Sequence, residues 1–77
     1  MALVRKFEDL EVERTQPQAE VEARYSIFEH EKRTYVQINT YGRPDRAIPG
    51  KVSQVIQLDR QGAEDLMAIL KRAFAFS

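Results

Sequence analysis

Aromatic, amide and basic side chains are concentrated between residues 33 and 51, and this combination suits the binding of a single-stranded nucleic acid. Tyrosines and amides occupy every second position from 35 to 41, so an extended strand places them on one face. Aromatic rings stack on bases for about 1–3 kcal/mol each, and cationic side chains follow the phosphates. The candidate binding residues are Arg33, Tyr35, Gln37, Asn39, Tyr41, Arg43, Arg46 and Lys51.

The same residues permit a structural interpretation and a second functional one. The tyrosines can instead pack beneath a loop or across a dimer interface, with their hydroxyls reaching water. The face can also serve a protein-interaction module, as in a small adaptor or inhibitor. Residues 24–57 carry a net charge of +3, which favours nucleic acid, whereas the net charge of zero over the whole chain favours a protein partner.

Catalytic residues in a recognisable arrangement are missing from the sequence. Glu29 and Glu31 flank the single histidine, His30, but neighbouring residues on a strand point away from each other. Gly42 and Gly50 do not open a helix with the Gly-Lys-Ser/Thr of a phosphate loop. One histidine without cysteine cannot build a metal site alone. We therefore expect a binding protein, not an enzyme, with neither cofactor nor metal.

Hydrophobicity along the chain indicates a protein of the cytoplasm. No apolar run approaches the ~18 residues that a membrane span needs. Arg5, Lys6, Glu8 and Asp9 interrupt any apolar stretch at the N-terminus, which excludes a signal-peptide core there. The absence of cysteine agrees with an intracellular location.

Alternating apolar residues predict the strands that position the candidate face. Residues 21–28 alternate clearly, and a polar turn at 30–33 joins them to a strand over 34–41 as a hairpin. Two glycines and two prolines make residues 42–50 a loop, and loops of this length are often kept for function. A further strand follows over 52–58.

The N-terminal residues predict a less regular element. Residues 3–14 alternate imperfectly, and the apolar parity changes between Phe7 and Leu10, which indicates a bulge, a bend or two short strands. Pro17 lies in a polar break after them. Residues 1–19 therefore form either an N-terminal strand or an arm that crosses a partner subunit.

The C-terminal residues predict one helix. Asp59 is a suitable N-cap, apolar residues recur at helical spacing over 63–74, and Lys71 and Arg72 lie where the helix dipole favours cations. We predict an α+β fold for a single domain, residues 1–77: a four-stranded antiparallel sheet followed by one helix (ββββα). We expect a homodimer formed through Leu66, Ile69, Leu70 and Phe74.

Residues 34–74 resemble the single-stranded-DNA-binding coactivator family known as positive cofactor four. The similarity rests on the strand over 35–41, on Pro49-Gly50-Lys51, and on Ile56-Gln57-Leu58 leading directly into the helix. The resemblance implies four antiparallel strands and a helix, with pairing of helices in a dimer. It also implies single-strand binding on a curved sheet with basic and aromatic residues, in a factor that serves transcription or replication.

Overall fold

A computed structural model describes residues 1–42 and 51–76 as one sheet followed by one helix. This confirms the predicted α+β class and the order of four strands before a C-terminal helix. The predicted loop over 42–50 lies outside the described residues except for Gly42. The elements are β1 (Ala2–Val4), β2 (Ala23–His30), β3 (Arg33–Tyr41), β4 (Val52–Leu58) and α1 (Arg60–Phe74).

The sheet is mixed, so the prediction of a wholly antiparallel sheet is wrong for its first strand. The strand order is β1-β4-β3-β2, with β3 antiparallel to both of its neighbours and β1 parallel to β4. A wholly antiparallel arrangement through hairpins would place β1 beside β2. Residues 5–22 instead contain neither strand nor helix and connect opposite edges of the sheet, which brings β1 to the far side of β4.

A two-residue turn joins β2 to β3, as the polar turn in the sequence predicts. Glu31 and Lys32 both have positive φ angles, of 51° and 66°, and His30 pairs with Arg33 directly before and after them. Positive φ at both central residues defines a type I′ turn, whose twist matches that of the flanking strands. The turn fixes which residues of β2 and β3 face each other.

Helix α1 begins directly after Asp59, the residue that the sequence predicts as its N-cap. The Asp59 carboxylate accepts a hydrogen bond from the Gly62 N–H at 2.8 Å, and Lys71 and Arg72 lie in the last turn. Gly62 is buried against the end of β1, where an added Cβ would overlap the carbonyl oxygen of Val4. The start of the helix is therefore fixed closely to the sheet.

Residues 5–22 contain neither strand nor helix, so the structure has one short strand where the sequence indicated a bulge, a bend or two short strands over 3–14. Only Ala2–Val4 pair with the sheet, and Leu10 and Val12 are exposed. The backbone N–H of Tyr41 donates to the Glu22 carbonyl oxygen at 3.1 Å, which fixes the end of the connection at the start of β2. Of residues 1–19, three therefore form a strand of the sheet, and the arm across a partner subunit stays a prediction.

Little of the apolar surface is covered within one chain. Among the described residues, Leu58 is the only buried large apolar side chain. Helix α1 packs only beside β4 and the end of β1, and the side of the sheet that carries Val36 and Ile38 stays largely open in the part of the chain that the structure describes. On that side Tyr25 and Ile27 are 74% and 66% exposed. We call this side the apolar face.

Candidate nucleic-acid interface

The register of the strands collects the polar and aromatic residues on the other side of the sheet. Residues directly opposite each other in neighbouring strands point to the same side. Tyr35 lies opposite Phe28, Gln37 lies opposite Gln57, and Leu3 of β1 pairs in turn with Gln57. We call this side the polar face; its strand positions are Leu3, Arg24, Ser26, Phe28, His30, Arg33, Tyr35, Gln37, Asn39, Tyr41, Val55 and Gln57.

A stacked pair of aromatic rings occupies the hairpin end of the polar face. The ring centroids of Phe28 and Tyr35 are 5.3 Å apart and their planes meet at 18°. Tyr35 is half-buried, so one side of the pair packs in the sheet while part of its ring surface stays accessible. The sequence prediction included Tyr35 and missed Phe28, although the hairpin register would have placed Phe28 directly opposite.

A cation and an aromatic ring meet at the other end of the face. The guanidinium carbon of Arg24 lies 5.2 Å from the ring centroid of Tyr41, within the range of a cation–π contact. Arg24 was not among the predicted binding residues. Alternation along β2 puts Arg24 on the same side as Ser26 and Phe28, which the sequence alone could have shown. Its contact with Tyr41, however, depends on the register between β2 and β3.

Amide side chains form a short hydrogen-bonded row across the centre of the face. Gln57 Nε2 donates to Gln37 Oε1 at 2.9 Å, and Gln37 Nε2 donates to Asn39 Oδ1 at 3.0 Å. These bonds fix the orientation of Gln37. They leave the Gln57 carbonyl oxygen as an acceptor and the Asn39 amide nitrogen as a donor at the two ends of the row, and such groups can bind base edges.

The charge on the polar face is of one sign at its strand positions. Arg24, His30 and Arg33 occupy such positions, and none of the face's described strand positions holds an aspartate or glutamate. Glu29 pairs with Thr34 and therefore belongs to the apolar face. Two acids border the face: Glu31 in the turn, whose Oε1 lies 3.8 Å from His30 Nε2, and Glu22, which directly precedes β2 and whose carbonyl oxygen accepts the Tyr41 N–H. The centre of the face therefore carries no acidic side chain to repel a phosphate, and its acids lie at the two ends.

Two shallow depressions, each of about 300 Å³, lie on the face. The first is lined by Leu3, Phe28, His30, Tyr35 and Gln57. The second continues over β1 and β4 and is lined by Met1, Ala2, Leu3, Gln37, Val55 and Gln57. They share Leu3 and Gln57, so an apolar, ring-sized recess adjoins the amide row. Such a surface can accept a flat ring and hydrogen-bond its edge.

The structure brings five of the eight predicted binding residues together on β3. These are Arg33, Tyr35, Gln37, Asn39 and Tyr41. Lys51 is exposed and precedes β4 by one residue. Arg43 and Arg46 lie outside the described residues.

Residues 1–42 and 51–76 offer no candidate for a metal site or a membrane span. No group of three or more His, Cys, Asp or Glu among them could hold an ion, and no helix is long and apolar enough to cross a bilayer.

Comparison with protein-family models, with curated proteins and with solved structures gives no match.

Proposed function

We propose that this protein binds single-stranded nucleic acid across the polar face of its sheet. The observation that carries the proposal is the composition of that face. It combines aromatic rings, a row of amides and the basic residues Arg24 and Arg33, and the acids that border it lie at its two ends. Stacking platforms beside cations that follow the backbone are the usual means of binding single strands without strict sequence preference.

Each end of the face has a distinct role in this proposal. Tyr35, supported from one side by Phe28, stacks on one base, and Tyr41 stacks on another. Tyr35 and Tyr41 are six residue steps apart along β3, or about 20 Å, so they contact different nucleotides. Arg24, Arg33 and Lys51 contact phosphates, and the sequence adds Arg43 and Arg46. The resemblance to positive cofactor four extends the proposal to an accessory factor of transcription or replication in the cytoplasm.

A homodimer is part of the same proposal. The accessible surface of the chain is 7419 Å², whereas a compact monomer of 9.0 kDa exposes about 4,900 Å². The radius of gyration is 14.7 Å, against about 11.5 Å for a compact domain of this length. Of the expected dimer residues, Leu66 and Ile69 are half-buried, while Leu70 and Phe74 are exposed. A second copy would cover such apolar surface.

A protein-interaction module is the alternative, and the edge of the sheet favours it. Strand β2 has eight residues and pairs only with β3 among the described elements. An unpaired edge of that length can accept a strand from another protein. In this alternative the tyrosines of the polar face contact a protein partner.

Fluorescence anisotropy with labelled single-stranded DNA and RNA tests the leading proposal at two salt concentrations. Three to five phosphate contacts predict a slope between about −2 and about −3.5 for log K against log salt. Replacing Tyr35 by leucine should weaken binding roughly 5- to 150-fold, because one stack is worth about 1–3 kcal/mol. Tyr35→Phe keeps the ring and should retain most of the affinity.

Tyr25→Leu provides the matched control, because Tyr25 lies on the apolar face. It removes the same ring and should leave the affinity within about twofold, with the oligomeric state checked by sedimentation. Absence of binding to either nucleic acid at low salt rejects the proposal. Equal losses for Tyr25→Leu and Tyr35→Leu would mean that the polar face is not the contact surface.

A further inference from the structure

A basic cleft lies beyond the polar face, at the hairpin end of the sheet. It has a volume of about 410 Å³ and is bounded by the β2–β3 turn, the start of α1 and the residue after β1. Four of its seven lining residues are basic. The lining residues are Arg5, Lys32, Arg33, Thr34, Asp59, Arg60 and Gln61.

The acidic residue in the cleft is already satisfied by its neighbours. Asp59 Oδ1 accepts the Gly62 N–H and Oδ2 accepts Arg5 Nε, each at 2.8 Å. The Gly62 hydrogen bond is the main cause that lowers the pKa of Asp59, and Arg5 lowers it further against the opposing effect of desolvation. The Asp59 side chain is only 15% exposed. Arg5 balances its charge, which leaves Lys32, Arg33 and Arg60 for a ligand.

Arg60 can turn from its present partner to a ligand in the cleft. Its Nε lies 3.0 Å from Glu64 Oε1, but both side chains are well exposed. Exposed ion pairs contribute about 0–1 kcal/mol, so the exchange costs little. The Gly62 N–H is bound by Asp59, but the N–H groups of Arg60 and Gln61 have no partner four residues earlier within the helix, and the positive end of the helix dipole adds to the attraction for an anion.

We propose that this cleft binds a phosphate group and that, in the complex with nucleic acid, it holds the terminal phosphate of the bound strand. The inference rests on the proposed function, because Arg33 belongs to both the polar face and the cleft. A nucleic-acid strand that runs along β3 past Tyr35 reaches the hairpin end of the sheet at Arg33. A phosphate monoester carries about −1.5 to −2 charges and three free oxygens. Three cations suit it better than they suit a diester with one charge.

The test uses one labelled oligonucleotide sequence in three forms: without terminal phosphate, with a 5′-phosphate and with a 3′-phosphate. One of the two phosphorylated forms should bind about 5- to 10-fold more tightly than the unphosphorylated form. The double variant Lys32→Gln/Arg60→Gln should lose this preference while retaining affinity for the unphosphorylated form. Lys71→Gln/Arg72→Gln removes the same charge at the far end of α1 and should keep the preference.

Inorganic phosphate provides a second readout, which does not depend on nucleic acid. In ¹H–¹⁵N spectra it should shift the amide signals of Arg60 and Gln61 in the wild-type protein and not in the Lys32→Gln/Arg60→Gln variant. If oligonucleotides bind but terminal phosphate changes neither affinity nor these signals, the cleft proposal is overturned and the proposed function stands. If no oligonucleotide binds while phosphate still shifts Gln61, the proposed function fails and the cleft is a site for free phosphate. Unchanged signals in that case overturn both.

Discussion

At the scale of single residues, Gly62 determines how closely the helix approaches the first strand. Besides the Val4 carbonyl oxygen, a Cβ at this position would lie 3.1 Å from Val4 C and 3.4 Å from Arg5 Cα. All three atoms belong to the backbone, which cannot move aside as a flexible side chain can. The contact therefore requires glycine, although glycine weakens a helix by about 1 kcal/mol relative to alanine.

Gly62→Ala should therefore destabilise the protein. Overpacking costs about 1–3 kcal/mol and the better helix propensity of alanine offsets about 1 kcal/mol, so the net loss in the free energy of unfolding is at most about 2 kcal/mol. Urea unfolding monitored by circular dichroism at a fixed protein concentration measures it. The neighbouring exposed residue supplies the control, because Gln61→Ala should change the free energy of unfolding by less than about 0.5 kcal/mol. A stabilised Gly62→Ala variant would contradict the close approach.

At the scale of elements, the turn between β2 and β3 is built from residues that do not favour its backbone. Glu31 and Lys32 have left-handed conformations that cost a residue with a side chain about 1–2 kcal/mol. Asn-Gly is the preferred sequence for a type I′ turn. The double substitution Glu31→Asn/Lys32→Gly should raise the free energy of unfolding by about 1 kcal/mol, measured by urea unfolding.

This variant also separates stability from the basic cleft, because it removes Lys32. We expect a more stable protein with a weaker preference for terminal phosphate. The single variant Glu31→Asn keeps Lys32 and should gain only part of the stability, with the preference unchanged. A loss of stability in the double variant would mean that the hairpin does not have a two-residue type I′ turn.

Local sequence signals were sufficient to predict three strands, the turn and the helix. Alternation gives β2, β3 and β4, and the Asp59 cap with apolar residues at helical spacing gives α1. The position of β1 was not predictable in this way, because a three-residue strand has almost no periodicity and its parallel partner is more than fifty residues away. The pairing of distant strands depends on packing that no local pattern records.

The residues of the candidate site likewise fall into those that a local pattern predicts and those that depend on distant pairing. The residues of β3 were predicted because one strand's alternation places them on one face. Phe28 and Arg24 were missed because their contacts with Tyr35 and Tyr41 depend on the cross-strand register. The basic cleft was missed for a stronger reason: Arg5, Lys32 and Arg60 come from three distant parts of the chain.

At the scale of the whole molecule, two apolar surfaces lack cover among residues 1–42 and 51–76 of one chain. The apolar face of the sheet exposes Tyr25 and Ile27, and α1 exposes Met67, Leu70 and Phe74, the last of these 65% exposed. The accessible surface of the chain exceeds that of a compact monomer by roughly 2,500 Å², and the largely exposed residues 5–22 contribute to this excess. Interfaces of obligate homodimers bury about 2,000–5,000 Å² in total, which is about 1,000–2,500 Å² from each chain. The uncovered area is therefore of the size that a second copy would bury.

We accordingly expect sedimentation equilibrium at micromolar concentration to give a mass of about 18 kDa, twice that of the 9.0 kDa chain. Thermal unfolding should shift to higher temperature as the protein concentration rises, because folding is then coupled to association. Leu70→Glu places a charge in the exposed apolar surface of α1 and should dissociate the dimer or unfold it. Lys71→Glu changes the adjacent exposed residue and should leave the mass unchanged. A stable 9.0 kDa species whose unfolding temperature is independent of concentration would exclude the dimer, because one chain would then suffice with Leu58 as its only buried large apolar side chain among the described residues.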